Sequence, residues 1–316
     1  MSRSTGRTPR GFARRKSART LRRTVFLSIG LIFTIRLVQW AISTERVYRF
    51  LPRLMKELKR SQVDWHAMLA NAQLADKYTQ YDGDLHIHII SLARTPSRNS
   101  LTLSSADAQR VHVTLFDAVD GLQPFDEGEL LQYSGKRRLA KLSQSTGLDY
   151  KQLEELHRQY QAGNSSSSVR ELLHERLRFG CYVSHVRLWS QLVTNRWPMM
   201  VVLEDDVVLV DDFHEKLSNI LSQVPQDWGL IYLNGCFQLY GGNFGHHLKI
   251  SRGGLCTYGY VISRKAVNHF MSGHILRSDK PIDHLMDIEV SAGRVIAFHA
   301  SPPLVQTLHM ASTLAY

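Results

Sequence analysis

Apolar and polar residues alternate in segments along this chain, and the period changes several times. Leu85-His86-Ile87-His88-Ile89-Ile90 alternates at the two-residue period of a strand, and Val111-His112-Val113-Thr114-Leu115-Phe116 repeats it after a polar, helix-like stretch. A β-α-β unit is the natural reading. Residues 126–178 are polar and helical in pattern, include a run of serines from Ser165 to Ser168, and hold no strong hydrophobic strand; they are expected to form an insertion or lid. From Gly180 the spacing of Cys181, His185, Leu188 and Leu192 predicts a helix ending near Asn195, before Pro198. The apolar runs Met199–Leu203, Leu230–Leu233 and Thr257–Ile262 predict strands, Arg264–Met271 a helix, and Val295–Phe298 the final strand. Strands alternating with helices over residues 82–316 predict one α/β domain around a mostly parallel sheet.

Upstream the pattern is different. Nineteen residues, 24–42, are apolar except for a few polar positions and Arg36; as a helix they span about 28 Å, close to a hydrocarbon core. Arg36 lies near enough to the end to snorkel, and Trp40 suits the headgroup level. In residues 45–81, Leu51, Leu54, Met55, Leu58 and Val63 recur at helical spacing. The organisation read from this is a basic cytosolic tail (1–23), a transmembrane signal anchor (24–42), a helical stem (43–81) and a folded domain.

Charge refines that picture. The formal net charge of +11 suggests a nucleic-acid partner until it is located. Residues 1–44 hold nine Arg and one Lys with no acid, which leaves 39 − 10 = 29 basic residues against 28 acidic ones in the rest. A nearly neutral domain does not indicate a nucleic-acid partner. Positive charge ahead of the span places the N-terminus in the cytosol and the domain outside or in a lumen, a single-pass type II arrangement. An Arg-rich, acid-free N-terminus also fits a mitochondrial presequence, so both destinations stay open. Cys181, Cys236 and Cys256 form no zinc pattern. Cys236 and Cys256 either bridge in an oxidising compartment or remain free thiols. Asn164-Ser165-Ser166 is a glycosylation sequon.

The chemistry centres on Glu204-Asp205-Asp206, three acids that interrupt an otherwise buried apolar stretch. At the C-terminal end of a strand they stand where open α/β sheets place their ligand crevice. Adjacent carboxylates raise each other's pKa unless a cation or good donors offset the charge. A hard divalent ion bound through one or two carboxylates plus substrate phosphates meets that need, pointing to a nucleotide or sugar-nucleotide substrate; a solvated acidic turn is the plain alternative.

The segments His88–Arg94 through Arg98, Phe116–Gly121, Gly180-Cys181 with Ser184-His185, Val202–Asp206, Pro281-Ile282-Asp283 and Pro302–Gln306, in this order, resemble glycosyltransferase family 25 over roughly residues 85–312. That family includes bacterial lipooligosaccharide galactosyltransferases and animal collagen galactosyltransferases. The resemblance implies a GT-A-like, Rossmann-related fold, a UDP-sugar donor, Mn²⁺ or another divalent cation, inversion at the anomeric carbon, and a glycan or glycoprotein acceptor. It implies that Asp206 binds the metal while Glu204 or Asp205 contacts donor hydroxyls, that Arg94 or Arg98 reaches phosphate, that Asp117 accepts from base or ribose, and that Ser184 and His185 lie near the donor. Asp283 is the first candidate for the base, with Asp287 on the same helical face as runner-up; the other role for Asp283 is a helix N-cap. His309 is a candidate second metal ligand, and His185, on an apolar face, reads equally as a buried core histidine. Gly241-Gly242 and Gly253-Gly254 bracket either an acceptor loop or an ordinary hairpin. The implied residence is the Golgi or endoplasmic reticulum lumen of a eukaryote, or a bacterial inner membrane. A catalytically inactive binding or adhesion protein of the same family is the competing class. A soluble nucleotidyltransferase lacks a phosphate-cradling glycine loop here.

Overall fold

The sheet is assembled from strands whose two faces are both apolar. In β3 (Met199–Glu204) the side chains alternate: Met200 and Val202 enter one core, Met199, Val201 and Leu203 the other. A strand buried on both faces must sit centrally with helices above and below. β3 does so in the computed structural model of the protein, which describes residues 85–308; the anchor and stem read from the sequence, and His309, lie outside the described residues.

Eight strands form the main sheet. In chain order these are β1 (Ile87–Ser91), β2 (Thr114–Asp117), β3, β5 (Leu230–Cys236), β6 (Tyr240–Asn243), β7 (Leu248–Ser251), β8 (Leu255–Ser263) and β9 (Ala297–Ala300). Their spatial order is β2-β1-β3-β8-β5-β9-β7-β6. β1 pairs in parallel with both β2 and β3, and β5 with β9, whereas β8 runs antiparallel between β3 and β5. β7 is antiparallel to both β9 and β6. Six strands therefore point one way and two the other, a mixed sheet that agrees with the mostly parallel expectation. A separate two-stranded sheet joins β4 (Val207–Leu209) to β10 (Val305–Thr307).

Helices cover both faces. α1 (Ser100–Ala108) and α6 (Phe213–Leu221) pack on the Val201 side, with Phe213, Leu217 and Ile220 fully buried. α5 (Ser167–Thr194), α7 (Arg264–Phe270) and α9 (Ile282–Ser291) cover the other face, led by Tyr182, Trp189, Phe270 and Met286. Each such side chain contributes about 1.5–3 kcal/mol by leaving water. Between β2 and α5 lie α2 (Glu127–Tyr133), α3 (Lys136–Leu142) and α4 (Tyr150–Gln161). Leu122 and Leu153 form a small satellite core with Leu173 and Leu177 of α5. After α7 comes the single turn α8 (Gly273–Leu276).

Three sequence expectations change. The helix expected to open at Gly180 begins thirteen residues earlier, where Ser166 caps it by accepting the Val169 amide at 3.3 Å. Gly180 is instead a mid-helix contact point: a Cβ there would stand 2.5 Å from the Val119 carbonyl oxygen. The Ser run, placed by the sequence in an insertion or lid, therefore supplies the cap and first turn of α5. The last strand is not at 295–298, because β9 starts at Ala297 and β10 follows the Pro302-Pro303 pair. The second strand starts at Thr114 and reaches Asp117. The segment between Gly241 and Gly254 is a hairpin, β6–β7.

Three of the buried histidines, His88, His185 and His299, give the fold a marked pH dependence. Burial pushes His88 and His299 down to about 4 and His185 down to about 3. Neither ring nitrogen of His88 has a hydrogen-bond partner among the described residues; the ring stacks on Trp197 at 5.4 Å. A histidine whose folded pKa is depressed stabilises the fold above its unfolded pKa, and that stability is lost as pH falls below about 6.5. The melting temperature of the wild-type protein should thus drop between pH 7 and pH 5, and His88→Phe should remove about 1–2 kcal/mol of the pH 5 penalty while changing little at pH 7.5. Equal pH profiles for the two proteins in thermal or urea unfolding would contradict this assignment.

Candidate active site

The chain leaves β1 to one side to form β2 and returns on the other side to form β3. The carboxyl ends of β1 and β3 therefore flank a topological switch point, where an open α/β sheet leaves a crevice. A cavity of about 350 Å³ lies there, large enough for a nucleotide-sized ligand portion. Its walls come from seven places, one of them Thr307 of β10. Ile90, Leu92, Arg94 and Arg98 line it from the end of β1 onward, Ala118, Val119 and Gly121 after β2, Glu204 to Asp206 from the end of β3, Cys256 to Tyr258 from β8, Pro281 to His284 from the start of α9, and Arg178, Cys181, Ser184 and His185 from α5.

The close approach of α5 to the loop after β2 depends on two glycines. A Cβ on Gly121 would stand 2.7 Å from the Arg176 carbonyl oxygen, the counterpart of the Gly180 contact. The contact brings Ser184 Oγ to 2.8 Å from the Val119 amide, which donates to it, while the hydroxyl donates to the Gly180 carbonyl at 2.7 Å. Ser184 thus fixes the loop that forms one wall. His185 Nδ1 lies 2.7 Å from the Tyr260 hydroxyl, which also accepts from Trp189 Nε1 at 3.0 Å. Buried and held neutral, His185 is a core histidine whose edge reaches the cavity.

The acidic triplet forms the floor. β3 ends at Glu204 and the chain turns at Asp205 and Asp206 before β4. The turn is held by Thr102, whose hydroxyl donates to the Asp205 carbonyl at 3.0 Å, and by the Leu308 amide, which donates to the Asp206 carbonyl at 3.0 Å. Glu204 Oε1 accepts from the Thr257 hydroxyl at 2.6 Å. Burial pushes the Glu204 carboxyl up to about 7, the Thr257 bond opposes this, and the charges of Asp206, Asp205 and Asp283 add to it. Burial also raises Asp205, against the Arg98 charge that lowers it.

Arg98 spans the other two acids. Its Nε donates to Asp205 Oδ1 at 3.1 Å and its Nη2 to Asp206 Oδ2 at 2.8 Å. Asp206 Oδ1 is buried with no hydrogen-bond partner among the described residues. An orphaned carboxylate oxygen in a buried acidic turn suits a cation. No group of three or more His, Cys, Asp or Glu converges as a metal site among the described residues. The donor set fits a hard divalent ion that takes one or two carboxylates and completes its shell from substrate phosphate.

The remaining candidates separate. Asp283 lies in the first turn of α9 and faces the cavity, but the N-cap is Pro281, so Asp283 does not have the capping role. Its oxygens accept from the Cys256 amide at 3.1 Å and from its neighbour His284 at 2.8 Å. Asp287, one turn on, lies outside the cavity lining and accepts the Gly254 amide at 2.9 Å. Arg94 lines the cavity and pairs with Asp120 at 2.9 Å. Asp117 is exposed at the end of β2 and is not part of the lining.

Several lining residues escaped the sequence reading. Arg178, Cys181 and Ser184 follow at 3-3 spacing on one helical face, so extending the stripe of α5 by one turn toward the N-terminus would have found Arg178. Thr257 and Tyr258 carried no signal of their own in a β-branched run. Cys236 and Cys256 form a disulfide with Cα atoms 5.5 Å apart, tying the end of β5 to the start of β8 beside the cavity. Cys181 is free, and burial drives its thiol far above the usual range.

Comparison with known proteins bears on the family of the chain. The sequence pattern of Glycosyltransferase family 25 (LPS biosynthesis protein) matches residues 84–286, a stretch containing the acidic triplet, Arg98, Ser184 and Asp283. The probable inactive glycosyltransferase 25 family member 3 of Bos taurus is 28% identical over 236 residues, covering 72% of this chain and 35% of that protein. Procollagen galactosyltransferase 2 of Homo sapiens is 27% identical over 160 residues, covering 50% of this chain and 22% of that protein. The chain thus spans about a third or less of the length of these relatives. Among solved structures, apo mouse xyloside xylosyltransferase 1 covers 68% of this chain and 84% of its own at 11% identity and a TM-score of 0.36, too distant to bear on the fold. With its pattern running unbroken from before β1 into α9 over well over half its length, the chain belongs to glycosyltransferase family 25.

Proposed function

We propose that this chain is an inverting, metal-dependent glycosyltransferase with a GT-A-like catalytic domain, moving a hexose from a UDP-sugar to an acceptor hydroxyl on a glycan or glycoprotein. The observation that carries the reading is one cavity faced both by Asp205 and Asp206 and, from a different element, by Asp283. Galactose as the sugar is supported by the name of procollagen galactosyltransferase 2. Asp206, with Asp205, would hold Mn²⁺ or another divalent ion. An ion bound there would offset the charge that grows on the leaving diphosphate. Arg94, Arg98 and Arg178 supply further positive charge from the cavity wall.

In the transfer, the acceptor oxygen forms a bond to the anomeric carbon as the bond from that carbon to the β-phosphate oxygen breaks. The electron pair leaves with UDP, and the acceptor proton passes to a carboxylate. Asp283 suits the role of proton acceptor, because two backbone amides, of Cys256 and His284, fix its orientation and it faces the cavity. Asp287, spent on the Gly254 amide and off the lining, is less well placed.

A second reading has its own support. Member 3 of Bos taurus is named probable inactive, and here Arg98 already bridges two of the acids. A binding or adhesion protein of the same fold would keep the cavity without turnover.

The disulfide and the exposed Asn164 sequon support residence in an oxidising, glycosylating lumen, Golgi or endoplasmic reticulum, behind a type II anchor. On this basis, full-length protein expressed in eukaryotic cells should lose mass with an endoglycosidase, and Asn164→Gln should abolish the shift; an unshifted wild type would point instead to the mitochondrial destination. In an activity assay, the purified full-length chain is expected to release UDP from UDP-galactose with Mn²⁺ present. Asp206→Asn should lower that rate at least about 100-fold, and Asp283→Asn should cut transfer about 10²–10⁴-fold while leaving UDP-sugar binding intact. Wild-type turnover by Asp206→Asn would refute the metal assignment. UDP-sugar binding with no turnover under any condition would favour the inactive reading.

A further inference from the structure

Arg98 sits where it does for a reason of chain geometry. It closes the single 3-10 turn Pro96–Arg98 between β1 and α1, and that turn hangs over the carboxyl end of β3. Pro96 presets the turn, and Thr102 of the following helix bonds the backbone of Asp205, so the arginine and the acids belong to one rigid corner. The fork geometry of a guanidinium matches two carboxylates, and here it takes one oxygen from each, Asp205 Oδ1 and Asp206 Oδ2. All three side chains are 14% exposed or less, so water does little to screen the pair.

This occupation conflicts with a divalent ion on the same acids. One oxygen of each of the cavity-lining Asp205 and Asp206 is already donated to, and a dication drawn to the orphaned Asp206 Oδ1 would meet a fixed positive charge across the same carboxyl group. The conflict disappears if the arginine acquires another anion. Arg98 lines the cavity itself, so a diphosphate entering there provides one within the same space.

We propose that Arg98 is the resident counter-ion of the acidic turn in the ligand-free protein and transfers its hydrogen bonds from Asp205 and Asp206 to the incoming diphosphate, so that divalent ion and nucleoside diphosphate bind cooperatively. This inference rests on the reading of Asp206 as a metal ligand. The ion alone binds weakly because it must displace a guanidinium. The diphosphate removes the competitor, and by thermodynamic reciprocity the ion strengthens diphosphate binding by the same factor. The arrangement keeps the site from holding an ion without a donor, and it keeps a positive charge beside Asp205 and Asp206 at every stage.

The test measures binding, not turnover. Mn²⁺ titrations of the full-length chain, followed by the loss of the free-ion paramagnetic resonance signal, are run with and without saturating UDP on wild type, Arg98→Gln, Arg98→Lys and Asp206→Asn. Arg98→Gln is expected to bind Mn²⁺ alone about tenfold or more tightly than wild type. Its gain in Mn²⁺ affinity on adding UDP should be about tenfold smaller, the residual coupling coming from phosphate oxygens on the ion itself. Arg98→Lys, which keeps the charge and loses the fork, should fall between. A thermal shift by Mn²⁺ that is larger in Arg98→Gln than in wild type gives the same answer for a variant that folds poorly. Mn²⁺ affinity in Arg98→Gln equal to or weaker than wild type would overturn the counter-ion role. Failure of the underlying metal reading is separate: wild type and both Arg98 variants would then bind no Mn²⁺ even with UDP, or Asp206→Asn would bind it as wild type does.

Discussion

Three carboxylates in sequence at the end of a buried strand set the constraint to which this domain answers. Left alone they would repel, protonate or pull the turn into solvent. Three different elements hold them. Thr257 of β8 donates to Glu204, Arg98 of the β1–α1 connection bridges Asp205 and Asp206, and Thr102 of α1 anchors the turn's backbone. These contacts draw the ends of β1, β3 and β8 to one point. The compensation is incomplete, since Glu204 remains raised to about 7 and one oxygen of Asp206 has no donor among the described residues. A charge surplus of that kind, kept in a cavity, is a poor solution to stability alone.

The opposite wall answers a steric constraint. Gly121 and Gly180 let the loop after β2 lie directly on α5, and Ser184 ties the two together. The 28-residue helix therefore carries its polar face, Arg178, Cys181 and Ser184, along the cavity, while its apolar face, with Tyr182 and Trp189, builds the core. One helix thus serves both the packing and the site. Arg176, three positions from Leu173 on the same helix, shows how far this goes: its guanidinium is buried and bonds the carbonyls of Gly121 and Gln123 at 2.8 and 2.7 Å, clamping the loop from its other end.

Much of the architecture was legible because the strands are apolar on both faces and the helices have marked boundaries. β1, β3, β5, β8 and α7 fall where the periodicity predicts them. The acidic triplet was legible because charge inside an apolar run has few benign explanations. What failed did so for identifiable reasons. Gly180 reads as a helix start in one dimension and acts as a mid-helix contact point in three, so residues 167–178 of α5 were assigned to an insertion. Arg98 was legible only as a donor to phosphate; that it reaches across to Asp205 and Asp206, more than a hundred positions away, is a property of the sheet order. Asp117 was named only through the family resemblance, and β2 is an edge strand of the sheet whose terminal carboxylate is exposed.

The disulfide links these points. Cys256 has a left-handed backbone, φ 64°, which a non-glycine residue adopts only when its surroundings hold it there. Its surroundings are the bond to Cys236 on β5 and the donation of its own amide to Asp283. The orientation of the amide that positions Asp283 is therefore coupled to a covalent tie between β5 and β8. Next along β8, Thr257 donates to Glu204. Two successive residues thus reach carboxylates on opposite sides of the cavity, so a shift of this strand end would disturb Asp283 and the acidic turn together. A cross-link at that position holds both walls at once, and it persists only where thiols are oxidised.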